Sequence, residues 1–150
     1  LNMTNQEKRP LVFLTIDILS FSIYFVLLLN ASEEYTNTIG ELPFWSASIL
    51  ILIPIMIVSR IILYVLYSIL NTAKTKEKEE NFLIDELGEM IRLKASRNFS
   101  STFMLGFVAA MILVSMGALI PAMFKMFFFS IFSAFIMQNI SEYYYAKKGI

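Results

Sequence analysis

The chain has 150 residues, of which 57% are hydrophobic and 16% are charged, and its twelve basic residues balance twelve acidic ones. Average soluble domains contain about 45–50% apolar and about 25% charged residues, so this composition indicates one lipid-embedded domain. The absence of Cys and His excludes disulfides, thiol nucleophiles, histidine acid–base catalysis and the usual zinc, haem and iron–sulfur sites. We therefore expect no cofactor, and the neutral net charge gives no indication of nucleic acid as a partner.

Four apolar stretches predict four transmembrane helices, at residues 11–29, 45–70, 99–120 and 122–140. The first would be about 28 Å long as a helix, which matches the hydrocarbon core of a bilayer. The second is longer than a bilayer needs, so we expect it to tilt or to project. A polar loop at 30–43 would join the first two spans, and Pro121 would break the helix between the last two.

The basic residues are distributed very unevenly around these spans. Ten of the twelve lie before the first span, between the second and third, or after the fourth. The interval 30–43 contains three Glu and no basic residue. Because Lys and Arg accumulate on the cytoplasmic side of membrane proteins, we expect both termini and the middle segment to be cytoplasmic.

The polar segment 81–98 lies between spans two and three. Its apolar residues recur with helical spacing and predict one apolar stripe, formed by Leu83, Ile84, Leu87, Met90 and Ile91. Acidic residues come first and basic residues last, which suits the helix dipole. We predict an amphipathic cytoplasmic helix that can continue directly into span three. It could lie along the membrane surface, pair with a second copy of the chain, or dock a partner protein.

If the helix docks a partner protein, its side chains would form the binding surface. The residues expected to form the docking surface are Asp85, Glu86, Leu87, Glu89, Ile91, Arg92, Lys94 and Arg97. Their mixed charge argues against a purely lipid-binding role, because helices that lie on a membrane are usually strongly basic on the polar face.

Asp17 and Arg60 are ionisable residues deep inside the first two spans. Asp17 lies about 10 Å along the helix from Pro10, and Arg60 about 15 Å before the end of span two, so their depths are similar. An isolated charge there costs at least about 2.5–3.5 kcal/mol, which favours pairing. Three interpretations remain open: a structural Asp17–Arg60 ion pair, an Arg60 that extends to the headgroups, and a pathway for protons or ions.

Span three contains small residues that predict close helix packing. Gly106 and Ala110 form a small-xxx-small pair, which allows another helix to approach closely. We assign Gly117 to the same packing role. The partner helix could belong to this chain or to a second copy in a homodimer.

Two motifs in the second half resemble those of a family of uncharacterised four-span prokaryotic membrane proteins. The first, Asp85-Glu86, Ile91, Leu93-Lys94 and Arg97-Asn98, is similar to that family's D-E-x-D…I-x-L-K-x-x-R pattern before the third span. The second, Tyr143-Tyr144-Tyr145 followed by Lys147-Lys148-Gly149, is similar to its Y-Y-x-R-R-G ending. The resemblance implies a bacterial or archaeal cytoplasmic-membrane protein that accompanies small DNA-binding regulators, and it brings no catalytic residues.

Together these observations predict an all-α membrane protein with four transmembrane helices, cytoplasmic termini and an amphipathic helix between spans two and three. We expect a multi-pass protein of the prokaryotic cytoplasmic membrane that is not an enzyme. Its function would be that of a regulatory, accessory or immunity-type interaction subunit. The alternative is a small transporter or channel subunit that uses Asp17 and Arg60.

Overall fold

A computed structural model describes residues 5–75 and 86–148 of the chain, and the regular secondary structure in these ranges is α-helix throughout. The helices are α1 (Asn5–Ile39), α2 (Glu41–Thr75), α3 (Glu86–Ser115) and α4 (Ile120–Lys148). Each is long and apolar enough to cross a membrane. This confirms an all-α fold with four candidate membrane spans.

The connection between α1 and α2 is shorter than predicted. The interval 30–43 was expected to be a loop, but α1 continues to Ile39 and α2 begins at Glu41. Gly40 makes this possible, because its φ of 93° lies in the left-handed region that glycine adopts without strain. Its N–H donates to the carbonyl of Thr36 at 3.0 Å, which caps α1. The prediction of a loop was wrong because polar residues alone do not end a helix.

A second glycine ends α3. Gly117 has a φ of 90°, and its N–H donates to the carbonyl of Val114 at 3.0 Å. The N–H of Ala118 donates to the carbonyl of Leu113, also at 3.0 Å. These two bonds form a Schellman cap, so α3 stops at Ser115 because its last carbonyls are satisfied by the turn.

This cap corrects two predictions about the α3–α4 turn. Span three was expected to continue to residue 120, and Gly117 was assigned to helix packing. Gly117 instead forms the turn, and a Cβ built on it would meet no atom within 4 Å. Pro121 lies in the first turn of α4, where its missing N–H costs no helical hydrogen bond.

The helices form an open bundle centred on α4. This helix contacts α3, α1 and α2, and α1 also packs against α2. Across the described residues, α3 packs extensively on α4 alone. Much of the apolar surface of α2 and α3 therefore faces outward, as expected where lipid rather than water surrounds the protein.

An aromatic core joins α1, α2 and α4 in the half of the bundle that contains the two tight turns. Its buried members are Phe21, Leu28, Phe44, Trp45, Leu52, Met56, Phe124 and Phe128. The Tyr24 hydroxyl donates to the Ser48 carbonyl at 2.5 Å and links α1 to α2 beside this core. The polar side chains of Asp17, Arg60 and Asn139 lie on the other side of this core, toward the end of the bundle that carries both termini.

Candidate functional site

Asp17 is the most completely buried charged side chain that the structure describes, with 0% of its surface exposed. Arg60 of α2 binds both oxygens of its carboxylate. The Nε atom donates to Oδ1 at 2.9 Å, and the Nη2 atom donates to Oδ2 in a close ion pair. This forked geometry is the strongest arrangement available to a guanidinium and a carboxylate.

Asn139 completes the coordination of Asp17 from α4. Its Nδ2 atom donates to Oδ2 of Asp17 at 2.6 Å, and only 2% of the Asn139 surface is exposed. The carboxylate therefore accepts three hydrogen bonds from two neighbouring helices. We did not single out Asn139 from the sequence, although an amide inside an apolar span is the signal that reveals such a partner.

Arg60 is held between two aromatic rings rather than extended toward the headgroups. Its Cζ atom lies 5.1 Å from the ring centroid of Phe13 and 4.9 Å from that of Phe135. Cation–π attraction at these distances stabilises the guanidinium in addition to its ion pair. Of the interpretations left open by the sequence, the contact between Asp17 and Arg60 matches the ion pair.

A hydrogen bond between α3 and α4 extends this polar layer. Asn98 Nδ2 donates to Ser141 Oγ at 2.9 Å, and Ser141 is buried. Every helix thus contributes a polar side chain, from Asp17 on α1 to Ser141 on α4. Within the described ranges, each fully buried side-chain nitrogen or oxygen has a hydrogen-bond partner, and a polar network satisfied in this way stiffens the bundle.

Glu142 lies about one helical turn beyond Asn139 on α4, at the end of this layer. It interacts favourably with Arg9, Arg92 and Arg60, and unfavourably with Asp17. The sequence suggested no role for Glu142, because the residue stands at the edge of the Tyr-rich ending. The fold brings to it charges that are far apart along the chain.

The residues predicted for docking divide between two sides of α3. Glu86, Leu87, Glu89, Arg92 and Arg97 are exposed. By contrast, Ile91 has 5% of its surface exposed and is buried within the chain itself, so it is not part of an accessible docking surface. The helical phase explains this, because Ile91 and the buried Ala95 face α4 one turn apart.

Lys94 and Asp85 are the remaining members of the predicted docking surface. Lys94 is half-buried, and its Nζ atom lies 5.3 Å from the ring centroid of Tyr145 on α4. Asp85 lies outside the described residues. The exposed surface of this part of α3 therefore includes Met90 and Leu93, at 50% and 68% exposed, rather than Ile91.

Gly106 and Ala110 pack α3 against α4 of the same chain. A Cβ built on Gly106 would overlap the Ser130 side chain and lie 3.1 Å from the Ser130 Cα. Ala110 is fully buried at 0% exposure. The helix that approaches α3 at this small-xxx-small pair is therefore α4.

Comparison of the chain with protein-family models, with curated proteins and with solved structures finds no match. The resemblance to the four-span prokaryotic family therefore stays a prediction.

Among residues 5–75 and 86–148, no three carboxylate side chains come close enough together to hold a metal ion. What the site can do follows from its geometry: it holds four helices together with a satisfied polar layer, and α3 presents a mixed face beside it.

Proposed function

We propose that this chain is a non-enzymatic interaction subunit of a prokaryotic cytoplasmic membrane, with a regulatory, accessory or immunity-type role and cytoplasmic termini. The observation that carries the proposal is the exposed face at the start of α3. Leu93 and Met90 are exposed there between the charges of Glu86 and Arg97. Apolar anchors with charged neighbours are typical of surfaces that bind another protein.

The anchoring of α3 supports this assignment. Ile91 and Ala95 are buried, and Asn98 binds Ser141 of α4. The helix therefore presents its outer face from a fixed position, which lowers the entropy lost on binding. The asymmetric distribution of basic residues is the support for placing this face in the cytoplasm.

The proposal is tested by cross-linking the tagged protein in native membranes and identifying its partners by mass spectrometry. Leu93→Glu should abolish recovery of a stoichiometric partner, because a charge on the exposed apolar anchor opposes docking. Leu70→Glu is the matched control, since Leu70 is also a leucine, 62% exposed, near the same end of the bundle. Recovery of self-cross-linked chains only, or equal loss in both variants, would overturn the heteromeric interaction role.

A transporter or channel subunit is the second candidate, and one observation favours it. Glu142 lies about one helical turn beyond Asn139, the residue of α4 that binds Asp17, so two carboxylates follow one another from the bundle interior toward the termini. Such pairs of acidic groups occur along proton pathways. Proton or ion flux in proteoliposomes that is lost in Asp17→Asn, while the variant remains folded, would establish this function. Flux indistinguishable from empty liposomes would exclude it.

A further inference from the structure

Pro54 divides α2 into two parts that pack very differently. The proline lies inside the helix and has no N–H to donate to the carbonyl of Leu50, one turn earlier. Among residues 41–70, the buried side chains are those of Phe44, Trp45, Ser48, Leu52 and Met56. From residue 57 to residue 70, which we call the distal part of α2, no side chain is buried. The distal part therefore lacks the buried core that holds the first part of the helix in place.

The contacts of the distal part with α1 and α4 centre on Arg60 and Tyr64. The guanidinium of Arg60 donates to both carboxylate oxygens of Asp17, and its Cζ atom lies 5.1 Å from the ring centroid of Phe13 and 4.9 Å from that of Phe135. The ring of Tyr64 stacks on that of Phe13, with 4.9 Å between the centroids. These contacts lie about one helical turn apart, so the distal part is held at the level of Asp17.

This arrangement has the two parts that a hinged movement needs. Helices bend at proline because a backbone hydrogen bond is missing there, and a few such positions absorb the rotation of a whole segment. Segments with few buried apolar contacts also open at a lower free energy than the core. The distal part of α2 satisfies both conditions, since it follows Pro54 and contains no buried side chain.

Asp17 keeps one partner when Arg60 moves away. Asn139 donates to Oδ2 of Asp17 at 2.6 Å from α4, and this hydrogen bond does not involve α2. In the structure, Arg60 is 25% exposed and Asp17 is 0% exposed, so the guanidinium lies between the carboxylate and the surroundings. Displacement of the distal part would therefore uncover a carboxylate that α4 still holds in position.

We propose that the distal part of α2 is a gate over the carboxylate of Asp17. Its hinge is Pro54, and the ion pair between Arg60 and Asp17 is the contact that keeps it closed. Opening exposes the carboxylate, whereas the first part of α2 stays packed in the aromatic core. The gate belongs to α2 and is independent of partner docking on the outer face of α3.

Distances between pairs of spin labels test the gate with the full chain in nanodiscs of phosphatidylcholine. Leu19→Cys on α1 is paired with Val65→Cys in the distal part and, separately, with Leu50→Cys before the hinge; all three positions are exposed. Asp17→Leu/Arg60→Met removes the closing contact without leaving a buried charge unpaired. In this double variant we expect the 19–65 distance distribution to broaden and shift to longer distances, while the 19–50 distribution stays as in the parent.

Two further variants test the hinge and the specificity of the effect. Pro54→Ala added to the double variant should narrow the 19–65 distribution again, because residue 54 then donates the missing hydrogen bond to the Leu50 carbonyl. Asn98→Ala/Ser141→Ala removes the polar contact between α3 and α4 and is the matched control, which should leave both distributions unchanged. An unchanged 19–65 distribution in the double variant, equal broadening of both distributions, or no effect of Pro54→Ala would overturn the proposal.

Amide hydrogen exchange of the unsubstituted protein in the same nanodiscs is a second measurement that requires no variant to fold. Residues 57–63 of α2 and 136–142 of α4 lie at the same depth, because Arg60 and Asn139 at their centres bind one carboxylate. The amides of 57–63 should exchange faster than those of 136–142, since local opening of the gate exposes only the first set. Equal protection of the two segments would contradict the gate.

Discussion

Arg60 of α2 binds both carboxylate oxygens of Asp17 of α1, although 43 positions separate the two residues in the chain. Asp17 is fully buried, and Asn139 of α4 donates a third hydrogen bond to its carboxylate. Three helices therefore meet at a single carboxylate. Whatever else the protein does, this contact determines how α1, α2 and α4 fit together.

Removing one member of this pair should destabilise the protein more than removing both. Asp17→Leu leaves a buried guanidinium without its counter-charge, and the loss of one partner of a buried ion pair typically costs about 3–5 kcal/mol. Asp17→Leu/Arg60→Met should recover most of that loss because no charge then remains unpaired. Thermal unfolding in mild detergent measures the stability of both variants. Additive losses in the double variant would show that the two side chains act independently.

Gly106→Ala should lower the melting temperature because the new methyl group would overlap Ser130 of α4. Overpacking of this kind typically costs about 1–3 kcal/mol. Gly106→Ala/Ser130→Gly should regain part of the loss, since it removes the side chain that the methyl group meets. Ala47→Val, at an exposed position of α2, is the control and should leave the melting temperature nearly unchanged. A Gly106→Ala protein as stable as the parent would contradict the close approach of α3 and α4.

Ile91 and Leu93 should respond differently to the same substitution. Ile91→Glu places a carboxylate in a buried position between α3 and α4, so we expect a lower melting temperature and poor expression. In Leu93→Glu the new side chain lies on the outer face of α3, where 68% of the leucine is exposed, so the substitution should leave the fold intact. Size-exclusion chromatography and thermal unfolding of the two variants distinguish these outcomes. Equal destabilisation would mean that the outer face of α3 is also packed.

The proposed cytoplasmic location of both termini can be tested cleanly because the given sequence contains no cysteine. Glu34→Cys lies near the α1–α2 turn, and Lys148→Cys lies at the end of α4. In intact cells, a membrane-impermeant maleimide should label Glu34→Cys and not Lys148→Cys. After the cells are opened, both should react. The reverse pattern would show that basic residues do not control the orientation of this protein.

The sequence was sufficient for the number of helices, because apolar length limits the solutions strongly. It also singled out Asp17 and Arg60 through the cost of an isolated charge, but it left open whether the two side chains are in contact. It was insufficient for the segment 30–43, where polar residues continue a helix until Gly40 ends it. The polar composition of a segment indicates that it can face water, but it does not show where a helix ends. Here the end of α1 depends on the left-handed conformation of one residue, Gly40.

The remaining differences have a common physical origin. Gly106 and Gly117 are both glycines of the same region, yet Gly106 admits a neighbouring helix and Gly117 forms a turn. Ile91 and Leu93 are apolar residues two positions apart on α3, yet only Ile91 is buried. In a lipid environment both sides of a helix can be apolar, so periodicity does not identify the side that faces the protein. Asn139 was missed because its partner, Asp17, lies on another helix, and the sequence does not show which helices are neighbours.

The position of Asp17 in the first helix has a consequence for biogenesis. As α1 leaves the ribosome, the Asp17 carboxylate has neither Arg60 nor Asn139 available, and a lone Asp inside a span opposes insertion, by about 2.5–3.5 kcal/mol where it lies at the centre. Arg60 becomes available only when α2 has been synthesised, and the tight turn at Gly40 brings it back alongside α1. The first two helices are therefore suited to enter the bilayer together as a hairpin. The second hairpin then attaches through Asn139, so that assembly follows the order of translation.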